Sequence, residues 1–141
     1  MFECSGVLRY SRGTDGSEYW LTAEVDSQLG AYYRALMPRH LLINRGRHDS
    51  HVTIVRGLKD TPTNLSAWGK YEGERTAFFY EPGVRCGKTY YWLRVVSIRF
   101  EDIRTELGLG VEPSLDPTEA SYVLPPLPWK KFFHTTIGNS K

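Results

Sequence analysis

Apolar and polar residues alternate along Gly6–Tyr10 and Tyr19–Val25, and in the second stretch Tyr19, Leu21, Ala23 and Val25 fall on one face. A period of two marks a half-buried strand. The segment between them, SRGTDGS, has the Gly, Asp and Ser of a turn, so the two stretches are predicted to form a hairpin. The period then changes. Leu29, Tyr32, Tyr33 and Leu36 recur at helical spacing, which predicts a helix over about 28–37 with these four as its buried stripe. Asp26 or Ser27 can cap its start, and Pro38 stops it.

A basic, polar stretch from Arg39 to His48 leads into a short predicted strand, His51–Arg56. Residues 57–73, with Pro62, Asn64 and Gly69, read as loop. Thr76–Tyr80 and the long β-branched run Thr89–Phe100 read as strands around an Glu81-Pro82-Gly83 turn. Glu101–Leu107 reads as a short helix. A segment with five prolines spans 108–131, and Lys131–Gly138 reads as a last strand. The pattern predicts an α+β fold over 1–141, a single strand-rich domain with two short helices.

Composition narrows the function classes. A chain of 141 residues has one domain's worth of core. With 40% hydrophobic and 24% charged residues it is built to pack rather than to stay disordered. A formal charge of +2 argues against a polybasic binder of long nucleic acid, while a local basic groove stays open. Aromatic residues at 13% supply many flat faces for a core or for stacking on bases. No apolar run approaches the roughly 18 residues of a membrane span, so no membrane association is expected. The N-terminus has no basic region followed by an apolar one, so no signal peptide is expected either. Cys4 and Cys86 are too few for a disulfide framework and read as free thiols of a reducing compartment.

The chemistry lies in a repeated tetrapeptide. His51-Val52-Thr53-Ile54 and His134-Thr135-Thr136-Ile137 both read His-x-Thr-apolar, and both fall in predicted strands. Residues i and i+2 of a strand share a face. His51 therefore projects with Thr53, and His134 with Thr136, while Val52, Ile54, Thr135 and Ile137 turn the other way. Gly138 beside the second motif leaves room for a ligand to approach the backbone. Two such strands side by side would gather two imidazoles and two hydroxyls around one phosphate. Imidazole, with a pKa of about 6.5, can serve as base or as acid near neutrality. The threonine hydroxyls can donate to the non-bridging oxygens where charge grows. No metal or other cofactor is required by this chemistry. The His48-Asp49-Ser50-His51 spacing offers two nitrogens to a zinc ion but no third and fourth donor nearby.

The paired His-x-Thr pattern, with its two histidines 83 residues apart, resembles the two-histidine (2H) phosphoesterase superfamily. The resemblance implies a bilobal fold with a central cleft. It implies metal-independent cleavage of a phosphodiester, with His51 and His134 as the acid–base pair and Thr53 and Thr136 on the phosphate. Within the superfamily the chain is most similar to the compact phage nucleases of the anti-CBASS type, which cut cyclic di- or trinucleotide immune signals. That would make it a viral protein acting in the host cytoplasm, with a cyclic nucleotide or short RNA-like substrate and no obligate protein partner.

Candidate substrate contacts are Tyr10, Trp68 and Trp129 for the bases and Arg56 and Lys131 for phosphate, with Tyr71, Tyr122 and Lys130 behind them. Three other readings stay open: a 2′,3′-cyclic phosphodiesterase of RNA repair or tRNA processing, a non-catalytic sponge that sequesters a nucleotide, and a small β-rich interaction domain using the Pro125–Pro128 run.

Overall fold

The computed structural model describes residues 1–87, 89–110 and 133–141. Trp129, Lys131, Tyr122, Lys130 and the Pro125–Pro128 run lie outside them. The elements are β1 (Phe2–Ser11), β2 (Trp20–Val25), α1 (Ser27–Leu36), β3 (His51–Val55), β4 (Arg75–Tyr80), β5 (Arg85–Cys86), β6 (Tyr90–Val96), α2 (Ile98–Glu106) and β7 (Phe133–Asn139). Among the described residues the fold is strand-rich α+β with two short α-helices. All strands pair antiparallel in the order β4-β1-β2-β3-β7-β6-β5, and β4 also pairs with β6. That last pairing closes six strands into a barrel, with β5 attached outside the ring on β6.

Three expectations are corrected. β1 begins at Phe2 rather than Gly6, because its first half pairs with β4, from Phe2↔Tyr80 to Val7↔Arg75, before its second half pairs with β2. The long run over 89–100 is not one strand. β6 ends at Val96, and Ser97 caps α2 by accepting a hydrogen bond from the Phe100 amide at 3.2 Å. The α1 stripe is also rotated from its predicted position. Gly30 and Tyr33 are buried and Leu29 half-buried, whereas Tyr32 is 59% and Leu36 61% exposed. Tyr33 sets this orientation by packing edge-on against Tyr80, with ring centroids 5.8 Å apart.

The core gathers on one face of the wrapped sheet. Leu8, Leu21, Ala23, Val52, Ile54, Phe78, Val95 and Phe133 meet Phe100, Ile103 and Leu107 from α2 and the residue after it. Leu93 and Ile137 pack with Tyr33 of α1. A buried ion pair ties α2 to the end of β3. Arg104, 2% exposed, donates through Nη1 to Asp60 Oδ2 at 2.9 Å and to the Ile54 carbonyl at 2.8 Å. Burial pushes the Asp60 carboxyl up, but Arg104 and Arg56 outweigh it and hold it below the usual carboxylate value. Among the described residues no helix is long and apolar enough to cross a membrane.

Candidate active site

The site follows from strand alternation around the core. In β3, Val52 and Ile54 are wholly buried, which turns His51 and Thr53, both half-buried, to the opposite face. In β7, Phe133, Thr135 and Ile137 are buried and His134 and Thr136 half-buried. β3 and β7 are antiparallel neighbours with Val52 facing Thr135. Extending that register by one residue each way sets His51 opposite Thr136 and Thr53 opposite His134. Each imidazole thus has a hydroxyl across the seam and another two residues along its own strand. The two histidines are diagonal neighbours, a relationship that separates backbones by about 7–8 Å.

Flanking strands complete the face. On β2, Glu24 is the register partner of His51 and Thr22 that of Thr53. On β6, Trp92 is the partner of Thr136 and Arg94 that of His134. Trp92 is 7% exposed, and its ring centroid lies 5.7 Å from that of His134. Arg94 donates to Glu81 Oε1 at 2.7 Å, and Arg85 reaches Glu81 Oε2 at 3.3 Å. Burial pushes the Glu81 carboxyl up, but the two guanidinium groups prevail and hold it below its ordinary value. Glu24 is in turn held by Arg9, Nε to Oε2 3.4 Å.

The His51 ring is oriented by its own loop. Nδ1 lies 2.9 Å from the Asp49 carbonyl oxygen. A carbonyl only accepts, so Nδ1 carries the hydrogen and donates it. The other nitrogen, Nε2, is left to exchange protons. His51 lines a cavity of about 820 Å³ together with Ser11, Trp20, Thr22 and Glu24. Trp20 stands in this wall because residue 57 is glycine; any Cβ there would collide with the indole. Its Nε1 donates to Glu18 Oε2 at 2.7 Å, which fixes the ring.

The other predicted contacts sit elsewhere. Tyr10 faces the core side of β1, opposite Leu21, and packs edge-on against Trp68 with centroids 4.9 Å apart. Trp68 packs in the same way against Tyr19. Arg56, beyond the end of β3, reaches Asp60 through Nε at 3.3 Å. Tyr71 donates to Glu106 Oε2 at 2.6 Å. The space at Gly138 is filled by the chain itself: a Cβ there would lie 2.5 Å from Ile43 Cγ2 and 2.6 Å from the Asn44 carbonyl oxygen. That glycine admits the Ile43 side chain and the Asn44 backbone, not a ligand. Cys4 and Cys86 are free thiols.

No family model, curated protein or solved structure matches this chain.

The chemical capacity of the site is therefore read from the quartet itself. It offers two imidazoles, two hydroxyl donors, an indole against one imidazole, and an open cavity beside the other. Sequence reasoning missed Trp20, Glu24, Trp92 and Arg94. The first two were within reach: carrying the β2 alternation to its polar face would have selected Trp20, Thr22 and Glu24. Trp92 and Arg94 were not, because both faces of β6 are covered and Trp92, Leu93, Arg94 and Val95 are all buried. Such a strand has no legible alternation.

Proposed function

We propose that this protein is a metal-independent two-histidine phosphodiesterase that cleaves a small RNA-like phosphodiester, foremost a cyclic di- or trinucleotide. One observation carries the reading: the antiparallel register Val52↔Thr135, which gives two His-x-Thr motifs from distant parts of the chain one common face. The substrate is taken to lie across the β3–β7 seam, on the face of the barrel that carries the two motifs.

In the proposed reaction His51 Nε2 accepts the proton of the ribose 2′-hydroxyl as O2′ attacks the adjacent phosphorus. His134, protonated, gives its proton to the departing 5′-oxygen. The products are a 2′,3′-cyclic phosphate end and a free 5′-hydroxyl, and each proton is accounted for. Thr53 and Thr136 donate to the non-bridging oxygens. Three supports come from the surroundings. The carbonyl bond to Nδ1 presets the His51 tautomer for proton abstraction. The Trp92 indole packs beside the ring that must carry the positive charge, an arrangement favourable to a cation. Trp20, on the cavity wall, offers a flat face to a base.

The test is turnover of cyclic dinucleotides, and separately of RNA ends bearing 2′,3′-cyclic phosphate, in excess EDTA. Cleavage of the cyclic dinucleotide to a linear product is the expected result. Cleavage confined to the terminal 2′,3′-cyclic phosphate would move the assignment to RNA repair. Tight binding with the ligand recovered intact would make the protein a sponge.

A further inference from the structure

A second cavity, of about 210 Å³, opens between α1 and the 45–50 loop. Its wall includes Arg34, Arg45, Gln28, Asp49, Ser50 and Thr136. Thr136 belongs to the histidine–threonine quartet, so cavity and quartet share a wall. Two guanidinium groups stand here against one carboxylate. Arg45 is paired with Asp49, and both side chains are well exposed, at 66% and 72%. Arg34 is half-buried and donates through Nη1 to the Ile137 carbonyl at 2.6 Å. Among the described residues no carboxylate lies within ion-pair distance of it. Burial and the nearby Arg45 charge hold the Arg34 pKa below the usual guanidinium value, as expected of a cation without a counter-ion. The backbone makes room for this arrangement. A Cβ on Gly30 would fall 2.7 Å from Ser50 Oγ and 3.0 Å from Arg34 Nη1, so the helix omits a side chain where these donors converge.

We infer that this cavity is an anion subsite that holds a second phosphate of the substrate next to the scissile one. The inference rests on the phosphodiesterase reading and deepens it: the preferred substrate carries two phosphates, as a cyclic dinucleotide does. A guanidinium fork matches phosphate geometry. An exposed ion pair such as Arg45–Asp49 is weak, so phosphate can replace the carboxylate on Arg45.

The experiment compares kcat/KM for a cyclic dinucleotide with that for the linear dinucleoside monophosphate of the same bases, in the wild-type chain and in Arg45→Gln and Arg34→Gln. Arg45 is exposed, so its variant keeps the fold even if loss of the Arg34–Ile137 bond disturbs the other. The expected result is a loss of about 10- to 100-fold on the two-phosphate substrate, at least tenfold larger than the loss on the one-phosphate substrate. Equal losses on both, or none on either, would overturn the subsite. If the wild-type protein cleaves neither, the phosphodiesterase reading fails by itself, and the subsite is then read from the binding of inorganic pyrophosphate. Saturable binding weakened tenfold in Arg45→Gln supports it; no binding, or binding unchanged in that variant, overturns it.

Discussion

The indole of Trp92 packs beside the imidazole of His134, centroids 5.7 Å apart and planes inclined at 59°. Trp92 is also the register partner of Thr136, so one buried ring stands beside both His134 and Thr136 of β7. Replacing it by Leu should lower kcat by about 10- to 100-fold, because misplacing a reacting group by an ångström costs that much. KM should change far less. Trp92→Phe, which keeps an aromatic wall, should recover most of the rate. Steady-state kinetics on the two variants, with circular dichroism to establish folding, checks this.

Trp20 and Trp68 should separate cleanly. Trp20 lies on the wall of the large cavity, and Trp68 packs between Tyr10 and Tyr19. Trp20→Ala should weaken substrate binding by about 1–3 kcal/mol, the worth of one stacked base, and appear mainly in KM. Trp68→Ala should leave KM nearly unchanged and lower the melting temperature instead. Paired kinetic and thermal measurements decide between these roles.

Gly138 is required by the fold. The Asn44 amide donates to the Asn139 carbonyl at 2.7 Å and the Asn139 amide returns a bond to Asn44 at 2.9 Å, so the two backbones run against each other over this glycine. Gly138→Ala should destabilise the protein by about 1–3 kcal/mol through overpacking. Gly46→Ala, whose Cβ would meet only the His48 carbonyl at 3.6 Å, is the matched control and should cost much less. Urea denaturation measures both.

Asp60 makes stability depend on pH. Its carboxyl is held below the ordinary value, so the folded state binds the proton more weakly than the unfolded state does. The resulting stability is fully present above the unfolded value of about 3.9 and is lost as pH falls through the lower native value. Asp60→Asn should cost about 3–5 kcal/mol near neutrality, since it takes the Asp60 carboxylate away from the buried Arg104 guanidinium. It should also flatten the acid side of the stability profile. Denaturation midpoints between about pH 3 and pH 7 test both effects.

Much of the site was legible because strand alternation is a short-range rule. Given His51-Val52-Thr53 and His134-Thr135-Thr136, the face of each side chain follows from the backbone period alone. That β3 and β7 are neighbours does not follow from it. Their adjacency depends on sheet order, a long-range property of the fold that no local pattern carries. The same limit explains the rotation of α1. Tyr32 and Tyr33 are equally apolar in sequence, and packing against Tyr80, Leu93 and Ile137 from distant strands buries one of them. The described aromatic side chains expected at the substrate lie away from the histidine–threonine quartet for a related reason. Tyr10 and Trp68 are drawn into the core by each other, whereas Trp20 is held at the cavity by Glu18 and by the bare backbone of Gly57.

The central claim is that His51 and His134 share one proton-transfer reaction, and the pH dependence of kcat/KM on a cyclic dinucleotide tests it most directly. A bell-shaped profile is predicted, with His51→Ala and His134→Ala each about 100- to 10,000-fold slower at the optimum. A profile with a single limb, or a variant of either histidine that cleaves at the wild-type rate, would contradict the account.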